Sequence, residues 1–160
     1  MLKAYGSDSV AAPSYAQCRG PREAGFIATF GEGLESPEPT DIRDTKCLVL
    51  IGSHIGENMH NGQVQEMSDA IDKGAVIITV DPRFSTAAGK SKYWLPIKPA
   101  TDIALLLAWI NTLISEEWFD KKYIDKYATG FDELKAAVAN YTPELAYSIT
   151  TIKPDLIRRT

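Results

Sequence analysis

The chain has 160 residues, with 17 Lys and Arg against 21 Asp and Glu, for a net charge of −4. That length allows one ordinary domain with a real core, and the mild acidity argues against a general nucleic-acid binder. No apolar run reaches the roughly 18 residues needed to cross a bilayer, "MLKAYGSDSV" has no signal-peptide core, and two cysteines are too few for a disulfide framework, a cysteine-ligated zinc or an iron–sulfur cluster.

Residues 1–30 have no clean period, although "PREAGFIATFG" predicts a short helix with Pro21 at its first position and Gly31 just past its end. "GEGLESPEPTD", from Gly31 to Asp41, reads as an exposed acidic loop. Cys47 to Ile51 is a short apolar run bounded by Gly52, which predicts a buried strand with Cys47 in the core. Val64, Met67 and Ile71 lie on one face of a helix over 61–73 that Gly74 can close. "AVIITV", from Ala75 to Val80, predicts a second buried strand, parallel to the first across a right-handed crossover. "YWLPI", from Tyr93 to Ile97, predicts a third strand, which Pro96 confines to an edge or terminal position.

Beyond Lys98 the pattern is helical. Thr101 is the expected cap of 102–114, a segment apolar on nearly all sides and therefore expected to be buried. Further helices follow Phe119, Gly130 and the Thr142-Pro143 pair, and "KPDLIRRT" opens one more, inside which the chain stops. The expected architecture is α/β: a Rossmann-like three-layer domain with a mainly parallel sheet and a helical C-terminal part, over 46–160, preceded by an irregular segment over 1–45.

A strand–loop–helix–strand unit of this kind holds a nucleotide where its strands end, yet the glycine fingerprint of nicotinamide and flavin enzymes is missing. The order and spacing of "VDPRFSTAAGKSKYWLPIKPATDIALLLAWINTLI", with "GFDELKAAVANYTPE" after it, carry a resemblance. From Tyr15 to Arg159 the chain resembles the catalytic subunit of the molybdopterin oxidoreductases. This is the dimethyl-sulfoxide-reductase family, which carries a bis-(molybdopterin guanine dinucleotide) cofactor with Mo or W. The resemblance implies that the unit holds the guanosine half of one pterin dinucleotide without the glycine fingerprint.

The residues then divide between bland and functional readings. Asp81, Pro82 and Arg83 form either a plain turn or a nucleotide contact, in which the carboxylate takes ribose hydroxyls or guanine nitrogens and the guanidinium pairs with phosphate. The resemblance favours contact. Asp102, after Pro99 and Thr101, suits a helix dipole; the resemblance adds recognition of the two-donor edge of guanine. Ala100 stands where the family has Gly, so a positive φ there would be strained. Gly52, Ser53 and Glu57 match the family's loop and Asn58 adds polar capacity, whereas His54 departs from the family's Asn. Backbone N–H groups of this loop can meet pyrophosphate or ribose. His54 and His60 have no third ligand at a useful spacing. Trp94, Trp109 and Trp118 read as packing.

Cys18 sits in Cys18-Arg19-Gly20-Pro21, which matches a ligand segment of the formate dehydrogenase branch except that Arg19 replaces His. The resemblance implies that Cys18 ligates the metal, a soft thiolate suiting a dithiolene-held centre, and that Arg19 faces a small anionic substrate of oxo- or sulfur-atom transfer. It also implies a parent catalytic subunit, with an iron–sulfur cluster outside this chain and electron-transfer and membrane-anchor subunits as partners. No nucleic acid and no direct membrane insertion are expected, and the sequence does not choose between a cytoplasmic and a periplasmic parent. The isolated chain is expected to be inactive. The alternative is a non-catalytic scaffold homologue in an electron-transfer complex; a free-standing nucleotide-binding module is the weaker third reading.

Overall fold

The computed structural model describes residues 4–6, 20–31, 41–53, 55–57 and 61–160. Its contacts group residues 1–40 and 41–160 into two compact units.

In the first unit, α1 spans Gly20–Phe30 and buries no residue, while Phe26 and Phe30 stack one turn apart at 5.8 Å. Gly31 ends the helix at φ +80°, its N–H bonded to the carbonyl of Ile27.

The second unit carries β1 (Cys47–Ile51), α2 (Asn61–Asp72), β2 (Val76–Val80), β3 (Tyr93–Leu95), α3 (Asp102–Ser115), α4 (Lys121–Tyr127), α5 (Phe131–Val138), α6 (Pro143–Thr150) and α7 (Pro154–Arg159). The three strands form one parallel sheet in the order β1-β2-β3, with Leu48 opposite Ile77 and Val80 opposite Leu95. The α/β class and the parallel crossover are as the sequence predicts. β3 stops at Leu95 because Pro96 has no N–H to continue the ladder, and it lies at a sheet edge.

Alternation along β2 builds the two cores. Ile77 joins Leu50, Met67 and Ala87 on the α2 side, while Ile78 and Val80 join Leu95, Leu105, Ala108, Ala146 and Ile157 on the side of α3, α6 and α7. Central β2 is therefore covered on both faces, which gives the expected three layers. The predicted Thr142-Pro143 start is present: Thr142 Oγ1 accepts from the Leu145 N–H and Pro143 occupies the first turn of α6.

Three sequence expectations need correction. Cys47 is exposed, not core. β1 is an edge strand whose outer face is not roofed by α3, α6 and α7, so Val49 and Ile51 remain about 40 % exposed while Leu50 is buried. α3 is not buried all round: Leu105, Ala108, Thr112 and Ile114 face the core, whereas Ile103, Leu106 and Leu113 are exposed. Thr101 makes no side-chain cap; its hydroxyl donates instead to the carbonyl of Lys98, at 2.6 Å.

Candidate functional site

Parallel strands send all their carboxyl ends to one edge of the sheet, and the loops that leave that edge form the crest where open α/β sheets bind ligands. Here the loops begin at Gly52, Asp81 and Pro96. Ladder bonds fix where the first two start: the Gly52 N–H donates to the Val80 carbonyl at 2.9 Å, and the Asp81 N–H to that of Leu95 at 3.2 Å. Gly52 takes φ +58°, a backbone that favours glycine, and a Cβ there would meet nothing within 4 Å. Its glycine is thus required by the turn, not by crowding.

Asp81 is only 4 % exposed. Its Oδ1 accepts the backbone N–H of Arg83 at 2.8 Å, closing a tight turn around Pro82. Its Oδ2 is buried and, among the described residues, has no hydrogen-bond partner. A buried carboxylate oxygen without a donor is rare because its desolvation is uncompensated. The carbonyl of Asp81 is held as well, by the indole Nε1–H of Trp94 at 2.8 Å. The residue is thus fixed at both ends, with one acceptor left over.

Glu57 ties the first loop to the second. Its Oε1 accepts the Thr86 N–H and its Oε2 pairs with the Arg83 guanidinium, both at 2.6 Å. The Thr86 amide, followed by Arg83, draws the Glu57 carboxyl down to about 2 and Arg83 is pushed up in turn by Glu57. Both Glu57 oxygens are engaged within the protein, so it acts as a clamp between loops.

The third loop is built differently. The Lys98 N–H donates to the carbonyl of Thr150, at the end of α6. Ala100 takes φ +64°, the left-handed backbone that favours glycine. Asp102 occupies the first turn of α3, half-buried. The structure thus gathers Gly52, Ser53, Glu57, Asp81, Pro82 and Arg83 around two linked loops. The hydrogen bonds of the described residues do not join Pro99, Thr101 or Asp102 to that network. Cys18, Arg19, His54, Asn58 and His60 lie outside the described residues.

Residues 1–146 match the family model described as Molybdopterin oxidoreductase. The chain belongs to the molybdopterin oxidoreductase family. It is 38% identical over 133 residues to an F420-dependent formate dehydrogenase subunit alpha from Methanocaldococcus jannaschii, covering 83% of this chain and 20% of that protein. It is 34% identical over 119 residues to a thiosulfate reductase molybdopterin-containing subunit from Salmonella typhimurium, covering 74% and 16%. The solved acetylene hydratase from Pelobacter acetylenicus superposes with a TM-score of 0.82 at 27% identity, over 99% of this chain and 21% of that one. The chain spans about one-fifth of the length of these relatives.

Membership of the molybdopterin oxidoreductases implies a molybdopterin cofactor with Mo or W. The set of groups at the crest suits a polar, phosphate-bearing ligand: an orphaned buried acceptor, a positive-φ glycine and a cation on adjoining loops. It does not fit a bare ion, since no group of three or more His, Cys, Asp or Glu could hold one among the described residues. A groove of about 270 Å³ between β1, α3 and α7, lined by Val49, Trp109, Leu113 and Trp118, shares no residue with the crest.

Sequence reasoning missed Trp94 and Thr86. Trp94 reads as packing, and only the fold reveals that its N–H holds Asp81. Thr86 contributes a backbone N–H, for which side-chain identity gives no signal.

Proposed function

We propose that this chain is the portion of a bis-(molybdopterin guanine dinucleotide) oxidoreductase that binds the guanosine half of one dinucleotide. The orphaned, buried Oδ2 of Asp81 at the carboxyl end of the central strand carries the reading. Such an acceptor is satisfied by a ribose hydroxyl or a guanine N–H. Gly52 and Ser53 offer backbone to ribose or pyrophosphate, and Asn58 adds a polar side chain to that loop. Pro82 sets the turn that aims Asp81, and Arg83, clamped beside it, supplies the charge for phosphate. Pro99 and Thr101 shape the β3–α3 connection that presents Asp102, whose carboxylate takes the two donors of the guanine edge. When bound, the cofactor supplies a molybdenum or tungsten centre for two-electron oxo- or sulfur-atom transfer.

The reading extends to the parent subunit through the ligand-Gly-Pro match. Cys18 is a thiolate ligand to the metal, and Arg19 is a fixed cation for a small anionic substrate. An iron–sulfur cluster and electron-transfer partners belong to the parent, and this chain alone is inactive. Titration calorimetry with GMP and AMP tests the nucleotide part. GMP binds weakly but in preference, and Asp102→Asn erodes the preference; equal binding of both nucleotides contradicts it. X-ray absorption on the parent tests Cys18. Cys18→Ala removes one sulfur from the metal shell and abolishes turnover; an unchanged shell and unchanged turnover overturn Cys18 as the ligand, whereas a parent with neither metal nor turnover favours the scaffold homologue.

A further inference from the structure

We infer that Phe84 is the stacking platform for the purine base and, with Asp102, sets how the guanosine site holds its ligand. This inference rests on the guanosine reading above. Phe84 lies three residues beyond Asp81 and is 64 % exposed. Isolated apolar residues on a protein surface ordinarily need no explanation. This one differs because its loop is held at every step. The Arg83 N–H bonds to Asp81 Oδ1, the Ser85 N–H to the Arg83 carbonyl at 2.8 Å, and the Gly89 N–H to the Ser85 carbonyl at 3.0 Å. Ser85 itself is buried, its Oγ accepting the Ala88 N–H.

The ring is propped as well. It meets Trp94 edge-to-face, with centroids 4.9 Å apart and planes at 73°. Trp94 is pinned in turn by its hydrogen bond to the Asp81 carbonyl, so the ring and the orphaned carboxylate are referenced to the same indole. On the other side of the loop, Gly89 lies close enough that a Cβ there would come within 3.7 Å of Phe84 Cε1. A T-shaped contact at one place on a ring, combined with this exposure, leaves aromatic surface open beside Asp81. The purine whose ribose bonds to Asp81 then stacks on that surface. Stacking of a base on an aromatic side chain is tolerant of base identity and is worth on the order of tenfold or more in affinity. Phe84 then supplies affinity for any purine, and Asp102 supplies the choice of guanine.

The test measures GMP and ribose 5-phosphate binding to the 160-residue chain by equilibrium dialysis. Phe84→Leu keeps an apolar side chain but removes the π-face, and Phe84→Tyr restores it. Phe84→Leu is expected to weaken GMP by about tenfold and leave ribose 5-phosphate unchanged, with Phe84→Tyr near the parent value. GMP binding unchanged in Phe84→Leu overturns the stacking role while the guanosine reading stands. Equal loss of both ligands in Phe84→Leu also overturns it, because the effect then acts through Asp81. If the unaltered chain binds GMP no better than ribose 5-phosphate, stacking is again overturned. If Asp81→Asn binds GMP as well as the unaltered chain, the guanosine reading itself falls.

Discussion

The connection that leaves β2 and the one that leaves β3 start side by side at the same sheet edge, but they are stabilised in opposite ways. The loop after β2 is held by side chains: Asp81 closes its own turn, Glu57 reaches across from the neighbouring loop, and Trp94 fixes the carbonyl below. The connection after β3 is held by backbone to Thr150 and by one short local bond, from the Thr101 hydroxyl to the Lys98 carbonyl, and contains a strained alanine just ahead of α3. The first arrangement preorganises charge before a ligand arrives, which reduces the ordering that binding requires. The second leaves Asp102 on a segment with an unfavourable backbone residue. The two carboxylates proposed to touch one nucleotide are therefore supported unequally, and substitutions should separate them.

The largest effect is expected at Asp81. Asp81→Ala removes the acceptor at the centre of the fixed loop, and GMP binding should fall by about 2 kcal/mol or more, read by calorimetry. Unchanged affinity would mean the buried oxygen has a structural role alone. Next is Asp102→Asn. The amide loses one of two acceptors facing guanine, so the preference for GMP over AMP should drop by about 1–3 kcal/mol while AMP affinity holds. An equal fall for both nucleotides would point to a disturbed helix start.

Ala100→Gly should do the opposite of damage. A left-handed alanine costs about 1–2 kcal/mol, partly offset by the greater unfolded-state freedom of glycine, so the net gain is about 1 kcal/mol or less. The thermal midpoint should rise by at most about 2–4 °C. A fall would mean that Ala100 is compensated by packing.

The smallest effect at neutral pH is expected from the Glu57 clamp, which is solvent-accessible. Its carboxyl is lowered from 4.5 to about 2, so the clamp is fully present above about 4.5 and is lost as pH falls through about 2. In Glu57→Gln the Thr86 amide should exchange faster with solvent at neutral pH, and its protection should no longer depend on acid over that window. Protection that stays acid-dependent in the variant would assign the effect to another group.

Much of the scaffold was legible because local signals agreed with the tertiary outcome. The apolar run at Leu48–Ile51 and the β-branched run at Val76–Val80 allow few alternatives when an amphipathic helix joins them, and Pro96 marks its strand's end by lacking a donor. Burial was less legible. Hydrophobicity cannot tell a central strand from an edge strand, so Cys47 and Val49 looked the same as Ile78. Likewise α3 is apolar on faces that α6 and α7 do not cover. At the site, Asp81 and Arg83 stand out by type and position. The roles of Glu57, Thr86 and Trp94 depend on contacts 13 to 29 residues apart in sequence, which no local pattern encodes.

The central claim is that the crest of this sheet receives guanosine at Asp81. Amide chemical shifts of the labelled chain, titrated with GMP and then AMP, test it most directly. The account predicts perturbations concentrated at 52–57, 81–86 and 99–102, larger for GMP than for AMP, and removed from the first two loops by Asp81→Asn. Perturbations centred instead on Val49, Trp109 and Trp118, or indistinguishable between the two nucleotides, would contradict it.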